Sequence, residues 1–341
     1  MNRPELKSIV LSIVNSDSLS EYIASVTALS RYYKQATANP DFFNITNDNE
    51  AALKGGNALS TYHAAACTDD HVRTAVFIKG IYQAITSLCR DFPQKRINIL
   101  YAGCGPYATL LLPLLTLFNK DNVEAVLLDI NASSVQSVNN LIAIMGLGNY
   151  RLTVIEANAI TYTKPEGWEI DLLICETMHY ALTSEPQVAI TRNLSTQLLS
   201  HSIMVPQEIN ISLGYSFFSK EPFLKSANDT LEGRTEMQPY QLRGPLGRIF
   251  SINKELFRNG AGNSAAIEST TYPLPDDYGH CPDICIYTEL VIFGSIELKT
   301  AESYITNPYC IAAIPNFAAH RAFRLVYDYS ETPRWEFIPI A

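Results

Sequence analysis

Charge is scarce in this chain of 341 residues: Asp, Glu, Lys and Arg make up 17% of it, below the usual quarter. Basic residues are the scarcer sign, 25 Lys and Arg against 34 Asp and Glu, leaving a net charge of −9. A protein that binds nucleic acid by neutralising phosphates needs the opposite balance, so no nucleic-acid partner is expected. Long apolar runs are missing as well. The greasiest stretch, residues 107–118, carries Pro113 inside it and falls well short of the ~20 residues that cross a bilayer. No membrane partner is expected. The seven cysteines are odd in number and scattered, which does not make a disulfide framework. The opening Met-Asn-Arg-Pro-Glu-Leu-Lys lacks the basic-then-apolar form of a signal peptide. The cytoplasm is the expected compartment. Apolar residues, by contrast, reach 47%, which excludes intrinsic disorder.

Helical periodicity dominates the first 90 residues. Leu6, Ile9, Val10, Ile13 and Val14 share one stripe, and Tyr22, Ile23, Val26, Leu29 and Tyr32 another. Asn39-Pro40-Asp41 breaks the pattern, and the polar segment from Asn44 to Gly56 reads as a loop or hinge. Asp69-Asp70 stands where an N-cap belongs, ahead of a predicted helix over about 70–90. Short apolar strands then alternate with helices: strands at 97–102, 123–129, 152–156 and 170–175, helices at 107–118 and 132–145. That alternation predicts an α/β, Rossmann-like doubly wound sheet. Such sheets bind ligands beyond the carboxyl ends of their strands. From about residue 207 alternating runs appear at 284–298, 321–328 and 335–340, and a mostly antiparallel β-rich domain is expected. The expected division is 1–95 helical, 96–206 Rossmann-like and 207–341 barrel-like.

The first strand runs into Gly103-Cys-Gly105-Pro. Glycines there let a backbone approach a cofactor closely, but the third glycine of a dinucleotide fingerprint is missing, with Ala at 108. The second strand ends in Asp129, 24 residues beyond Gly105. A carboxylate at that point can accept hydrogen bonds from both ribose hydroxyls. The stretches AGCGPYATLLLPLL and VEAVLLDINASSV resemble the first two motifs of class I S-adenosylmethionine (SAM)-dependent methyltransferases. The resemblance implies SAM as cofactor, Gly103 and Gly105 beneath its methionine portion and Asp129 on its ribose. It also implies Asn158 and Ala159, in EANAI, at the adenine edge.

After the fourth strand come Glu176 and, nine residues later, Glu185. The segment CETMHYALTSEPQ resembles the double-glutamate loop of the protein arginine N-methyltransferases, with Met178 and an aromatic, Tyr180, in similar places. DHVRTAVFIKGIYQAI, residues 70–85, is similar to that family's helix before the first strand, which implies Arg73 on the SAM carboxylate. A guanidinium is delocalised, weakly nucleophilic and hard to deprotonate. Two carboxylates can grip it and align one nitrogen with a sulfonium methyl. Glu176 and Glu185 are therefore the expected catalytic pair, with Met178, His179 and Tyr180 in the substrate pocket. The resemblance covers roughly residues 57–215 and has departures. Thr177 stands where the family has Trp, and His179 where it has Gly. The barrel's Thr-His-Trp element is absent: His320 lacks the Trp and Trp335 stands alone. His63 is a shifted counterpart of an upstream family His.

The expected activity is methyl transfer from SAM to a guanidino nitrogen of arginine or a small arginine-like metabolite. Protein arginine and other small-molecule acceptors are the alternatives. A nicotinamide-dependent oxidoreductase fits the glycine turn less well, and a non-catalytic methyltransferase-like scaffold would have no need of Asp129 and both glutamates. The expected partner is a small guanidino or amino compound, and the N-terminal helices would serve as a lid, a homodimer contact or plain packing. His280-Cys281-x-x-x-Cys285 lacks a fourth ligand at zinc spacing, so no metal is expected. Tyrosines 32, 33, 62 and 180 read equally as pocket wall or core.

Overall fold

The computed structural model describes residues 3–39, 43–225, 244–258 and 264–341. Two helices open the chain, α1 (Arg3–Asn15) and α2 (Leu19–Ala36). Ser18 caps α2 and Glu21 reaches back to the cap's own N–H, which satisfies donors that a helix start leaves orphaned. The expected break at Asn39-Pro40-Asp41 lies outside the described residues for Pro40 and Asp41. The segment expected as a loop carries a small hairpin, β1 (Ala51–Leu53) and β2 (Gly56–Ala58), turning on Gly55 and Gly56 at φ +99° and +142°. Helix α3 (Thr61–Ala66) and the long α4 (His71–Asp91) follow. Asp70 caps α4 by accepting from the Arg73 N–H, and Val72, Ala75, Val76, Ile78 and Ile81 form its buried stripe.

The central sheet is parallel throughout. Its strands are β3 (Ile97–Ala102), β4 (Val123–Asp129), β5 (Arg151–Glu156), β6 (Leu172–Cys175) and β7 (Ile203–Val205), in the order β5-β4-β3-β6-β7. Helices α5 (Ala132–Ile144) and α6 (Gln187–Ser195) make two of the crossovers. β3 and β6 are nearly apolar and, Asn98 apart, fully buried, as strands covered on both faces must be. The crossover after β3 is not the regular helix expected over 107–118. It is a run of turns ending in a short 3-10 helix at Pro113–Leu117. Ala108 sits at φ +43°, and Pro113 removes a donor midway, so burial is kept while helical hydrogen bonding is not.

The rest is antiparallel. One five-stranded sheet joins β8 (Glu208–Ser216), β9 (Gly244–Asn253), β12 (Asp283–Phe293), β13 (Ile296–Leu298) and β14 (Tyr309–Ala313). A four-stranded sheet joins β10 (Ala266–Glu268), β11 (Tyr272–Pro273), β15 (Ala322–Asp328) and β16 (Arg334–Ile340). The short helix α7 (Lys254–Arg258) follows β9. The architecture is Rossmann-like α/β with N-terminal helices and a C-terminal, mostly β domain.

Helix α4 meets β12 through Gly80, where a Cβ would stand 2.5 Å from Ile292 Cγ2 and 3.2 Å from Ile292 Cβ. That close approach sets the position of the whole helix. Gly80→Ala gains helix propensity, about 1 kcal/mol, but overpacks a contact with no room to yield, at about 1–3 kcal/mol. A net loss of stability is expected, read as a lower urea midpoint at unchanged slope.

Candidate active site

The sheet's strand order reverses between β3 and β6, and beyond their carboxyl ends lies a cavity of about 620 Å³. Ligand clefts of open α/β sheets form at this point. Gly103 and Gly105 after β3, Asp129 at the end of β4, Asn158 and Ala159 after β5, and Glu176 after β6 all line it. So do Arg73, Met178, His179 and Glu185. Tyr180 does not: it packs among Tyr304, Phe223 and Tyr309, on the side of the β domain. Of the other tyrosines, Tyr62 lines the cavity, while Tyr32 and Tyr33 are core, Tyr33 stacked on the lining Tyr107 with ring centroids 4.5 Å apart.

Gly103 and Gly105 both take left-handed backbone, φ +66° and +63°, which costs glycine little. A Cβ on Gly103 would collide with Thr177 Cγ2 at 2.3 Å, so the turn and the loop after β6 pack directly together. The Asp129 carboxylate accepts from the Gly105 and Asn131 N–H groups, each at 2.8 Å. Burial pushes its pKa up, against those two bonds. Asn158 Oδ1 accepts from the Ile160 N–H at 2.9 Å and shapes the turn after β5. Across the cavity, Arg73 donates from Nη1 to the Cys67 carbonyl at 3.0 Å and pairs through Nη2 with Glu176. Its Nε is buried and has no hydrogen-bond partner among the described residues. A buried donor left open costs about 1–3 kcal/mol.

The carboxylates at the other end differ in their surroundings. Glu176 is held from both flanks by Gln187, whose Oε1 accepts from the Thr177 N–H at 2.9 Å while Nε2 donates to the Cys175 carbonyl at 3.1 Å. Its Oε2 faces Arg73. Burial raises the pKa of Glu185 to about 7, offset in part by Arg73 and reinforced by Glu50, and Lys225 is a second cation on the cavity lining. His179 contacts Thr183 Oγ1 through Nδ1 at 2.7 Å and the Tyr304 hydroxyl through Nε2 at 3.1 Å. Burial lowers its pKa to about 4, so it is a neutral wall at pH 7. At the rim, His63 Nδ1 lies 3.4 Å from Glu50 Oε1.

The β domain enters this cavity through Tyr304 and Ile305. Asp70 anchors them: its Oδ2 accepts from the Ser303 hydroxyl at 2.7 Å and the Tyr304 N–H at 3.0 Å, while Oδ1 caps α4. Through these bonds Ser303 and Tyr304 of the β domain pair with a carboxylate on the cavity lining. Sequence reading placed Asp70 as a cap but missed Ser303, Tyr304 and Gln187. Only Gln187 left a local trace, two residues after Glu185. The former zinc suspect Cys285 is buried in β12, opposite Cys310 of β14.

No family model matches the chain, and no curated protein does. Among solved structures, an open conformation of Arabidopsis thaliana protein arginine methyltransferase 10 matches 82% of this chain and 97% of its own, with 12% identity and a TM-score of 0.50. The Trypanosoma brucei PRMT1 enzyme–prozyme heterotetrameric complex with AdoHcy matches 79% of this chain and 95% of its own, at 12% identity and a TM-score of 0.45. The first of these likenesses places the chain in the fold of the protein arginine methyltransferases.

Asp70→Ala removes a helix cap, worth about 1 kcal/mol, and leaves two buried donors open at about 1–3 kcal/mol each. A stability loss of about 3 kcal/mol or more is expected from chemical denaturation, against about 1 kcal/mol for Ser303→Ala. Equal effects of the two would mean that Asp70 acts only as a cap.

Proposed function

We propose that this chain is a methyltransferase that takes a methyl group from SAM and places it on a guanidino or amino nitrogen, of arginine or a small arginine-like metabolite. The cavity suits SAM on its own features. Arg73 carries a buried Nε without a partner among the described residues, the Gly103–Gly105 turn brings side-chain-free backbone to the lining, and Asp129 stands on the same wall at the end of β4, where a ribose would be held. Bound there, SAM supplies an electrophilic methyl on a sulfonium.

The observation that carries the acceptor class is the charge balance at Glu185. Arg73 is already committed to Glu176, and a second, half-buried carboxylate in the same cavity has its pKa raised to about 7. A carboxylate in that state gains most from a cation brought from outside. A guanidinium or ammonium fits. Glu185 then holds the acceptor's charge, and Glu176 contributes through the oxygen turned away from Arg73. Both draw positive charge from the reacting nitrogen and orient it. Neutral His179 and Tyr304 close the wall without repelling a cation. Met178, 2% exposed, adds an apolar surface where water would compete. A small acceptor is favoured over a basic protein tail because Ser303 and Tyr304 replace the barrel element associated with that substrate in the family.

A +14 Da mass-shift screen of amino acids, guanidino compounds and Arg-rich peptides with SAM tests the reading. Absence of any shift on guanidino and amino compounds would refute it. On the acceptor found, turnover per free enzyme is expected to rise with pH through about 7, as Glu185 loses its proton. Glu185→Gln is expected to abolish that limb, cut methyl transfer at least ~100-fold and leave SAM affinity unchanged. It should also stabilise the fold at pH 8. The native pKa of about 7 exceeds the ordinary 4.5, so the native state binds the extra proton and stability falls as pH rises between those values. Removing the group recovers about 1–3 kcal/mol above pH 7.

A further inference from the structure

The loop that carries Glu185 does not relax into its shape unaided. Ala181, Leu182 and Ser184 all sit in left-handed backbone, at φ +54°, +58° and +67°, and none is glycine. Side chains with a Cβ avoid that region unless their surroundings over-determine it. Here the surroundings come from the β domain. The Trp335 Nε1–H donates to the Ala181 carbonyl at 2.8 Å, and the Tyr327 hydroxyl donates to the Leu182 carbonyl at 2.7 Å. Thr288 Oγ1 accepts from the Ala181 N–H at 3.2 Å, and the Pro333 carbonyl accepts from the Ser184 N–H at 3.0 Å.

Tyr327 and Trp335 face each other across β15 and β16, ring centroids 5.0 Å apart, with Phe250 stacked on Trp335. Neither ring lines the cavity. From the opposite side, the Asn57 N–H donates to the Ser184 carbonyl at 2.7 Å. Gly56 there approaches so closely that a Cβ would stand 2.5 Å from Pro186 N. The loop is gripped between a hairpin of the N-terminal region and two aromatic donors of the β domain.

We infer that Tyr327 and Trp335 are positioning residues for methyl transfer, holding the Ala181–Ser184 backbone in its left-handed path and so aiming the Glu185 carboxylate into the cavity. The inference rests on the acceptor role given to Glu185 above, but its test does not need turnover. Tyr327→Phe and Trp335→Phe each delete a donor and keep an aromatic ring. Released carbonyls let the loop relax towards ordinary backbone, and Glu185 swings towards water. The groups that feel its charge are Arg73 on α4, Glu50 before β1, Cys67 after α3 and Tyr304 of the β domain. None of them is changed by either substitution.

In protein carrying 13C-labelled glutamate carboxyls, the Glu185 signal is the one missing from Glu185→Gln. Its midpoint is expected near 7 in the wild type and lower by about one pH unit or more in Tyr327→Phe, with S-adenosylhomocysteine affinity unchanged. Where an acceptor is in hand, its kcat is expected to fall about 10-fold at little change in KM. Trp335→Phe gives an independent reading if Tyr327→Phe proves too unstable. Midpoints that stay at the wild-type value in both variants overturn the inference, whatever happens to melting temperature. A shifted midpoint with no methyl transfer by the wild type would instead sink the proposed activity and leave the positioning intact.

Discussion

One turn of helix, from Asp70 to Arg73, is where the molecule is tied together. Asp70 caps that turn with one oxygen and holds Ser303 and Tyr304 of the β domain with the other. Three residues on, Arg73 joins the turn before α4 through the Cys67 carbonyl and the end of β6 through Glu176. Helix, sheet and β domain therefore share one charged, buried junction. Charges are expensive to bury unless they are paired and hydrogen-bonded, so each member depends on the others. Gly80, where the same helix lies against Ile292, fixes the helix at the distance this junction needs.

The charge arithmetic of the cavity follows from that junction. Arg73 offsets Glu176 and only partly offsets Glu185, while Glu50 adds a further negative charge at the rim. Five carboxylates line the cavity, Glu50, Asp70, Asp129, Glu176 and Glu185, against two cations, Arg73 and Lys225. That imbalance weakens the folded state at neutral and higher pH, and a cation entering the cavity would relieve it. Strain is concentrated in the same place: three left-handed residues precede Glu185, held by Tyr327, Trp335 and Thr288. Stability given up at a site and restored by distant packing is a common trade where a group must be held ready.

Much of this was legible in the sequence, for reasons that differ by element. Buried parallel strands such as β6, LLIC, are short apolar runs between turn residues, and Gly103, Asp129 and Glu176 stand at strand ends where sheet topology puts ligands. The crossover over 107–118 misled because its composition is that of a buried helix, while Ala108 and Pro113 decide its backbone. Tyr180 misled because adjacent residues on a kinked loop face different ways: His179 turns to the cavity, Tyr180 to the β domain. Ser303, Tyr304, Tyr327 and Trp335 left no local signal at all. Their partners lie more than a hundred residues away in sequence, and single-residue patterns carry no information about such pairings.

Amide hydrogen exchange with and without S-adenosylhomocysteine tests the junction most directly. If Arg73 meets the ligand's carboxylate while the sheet holds its nucleoside, exchange slows in both places at once. Protection is expected over residues 57–85 and the 176–186 loop, together with 103–131. Protection confined to residues 100–160, or none anywhere, would contradict a cavity in which the N-terminal helix, the sheet and the 176–186 loop close on one ligand.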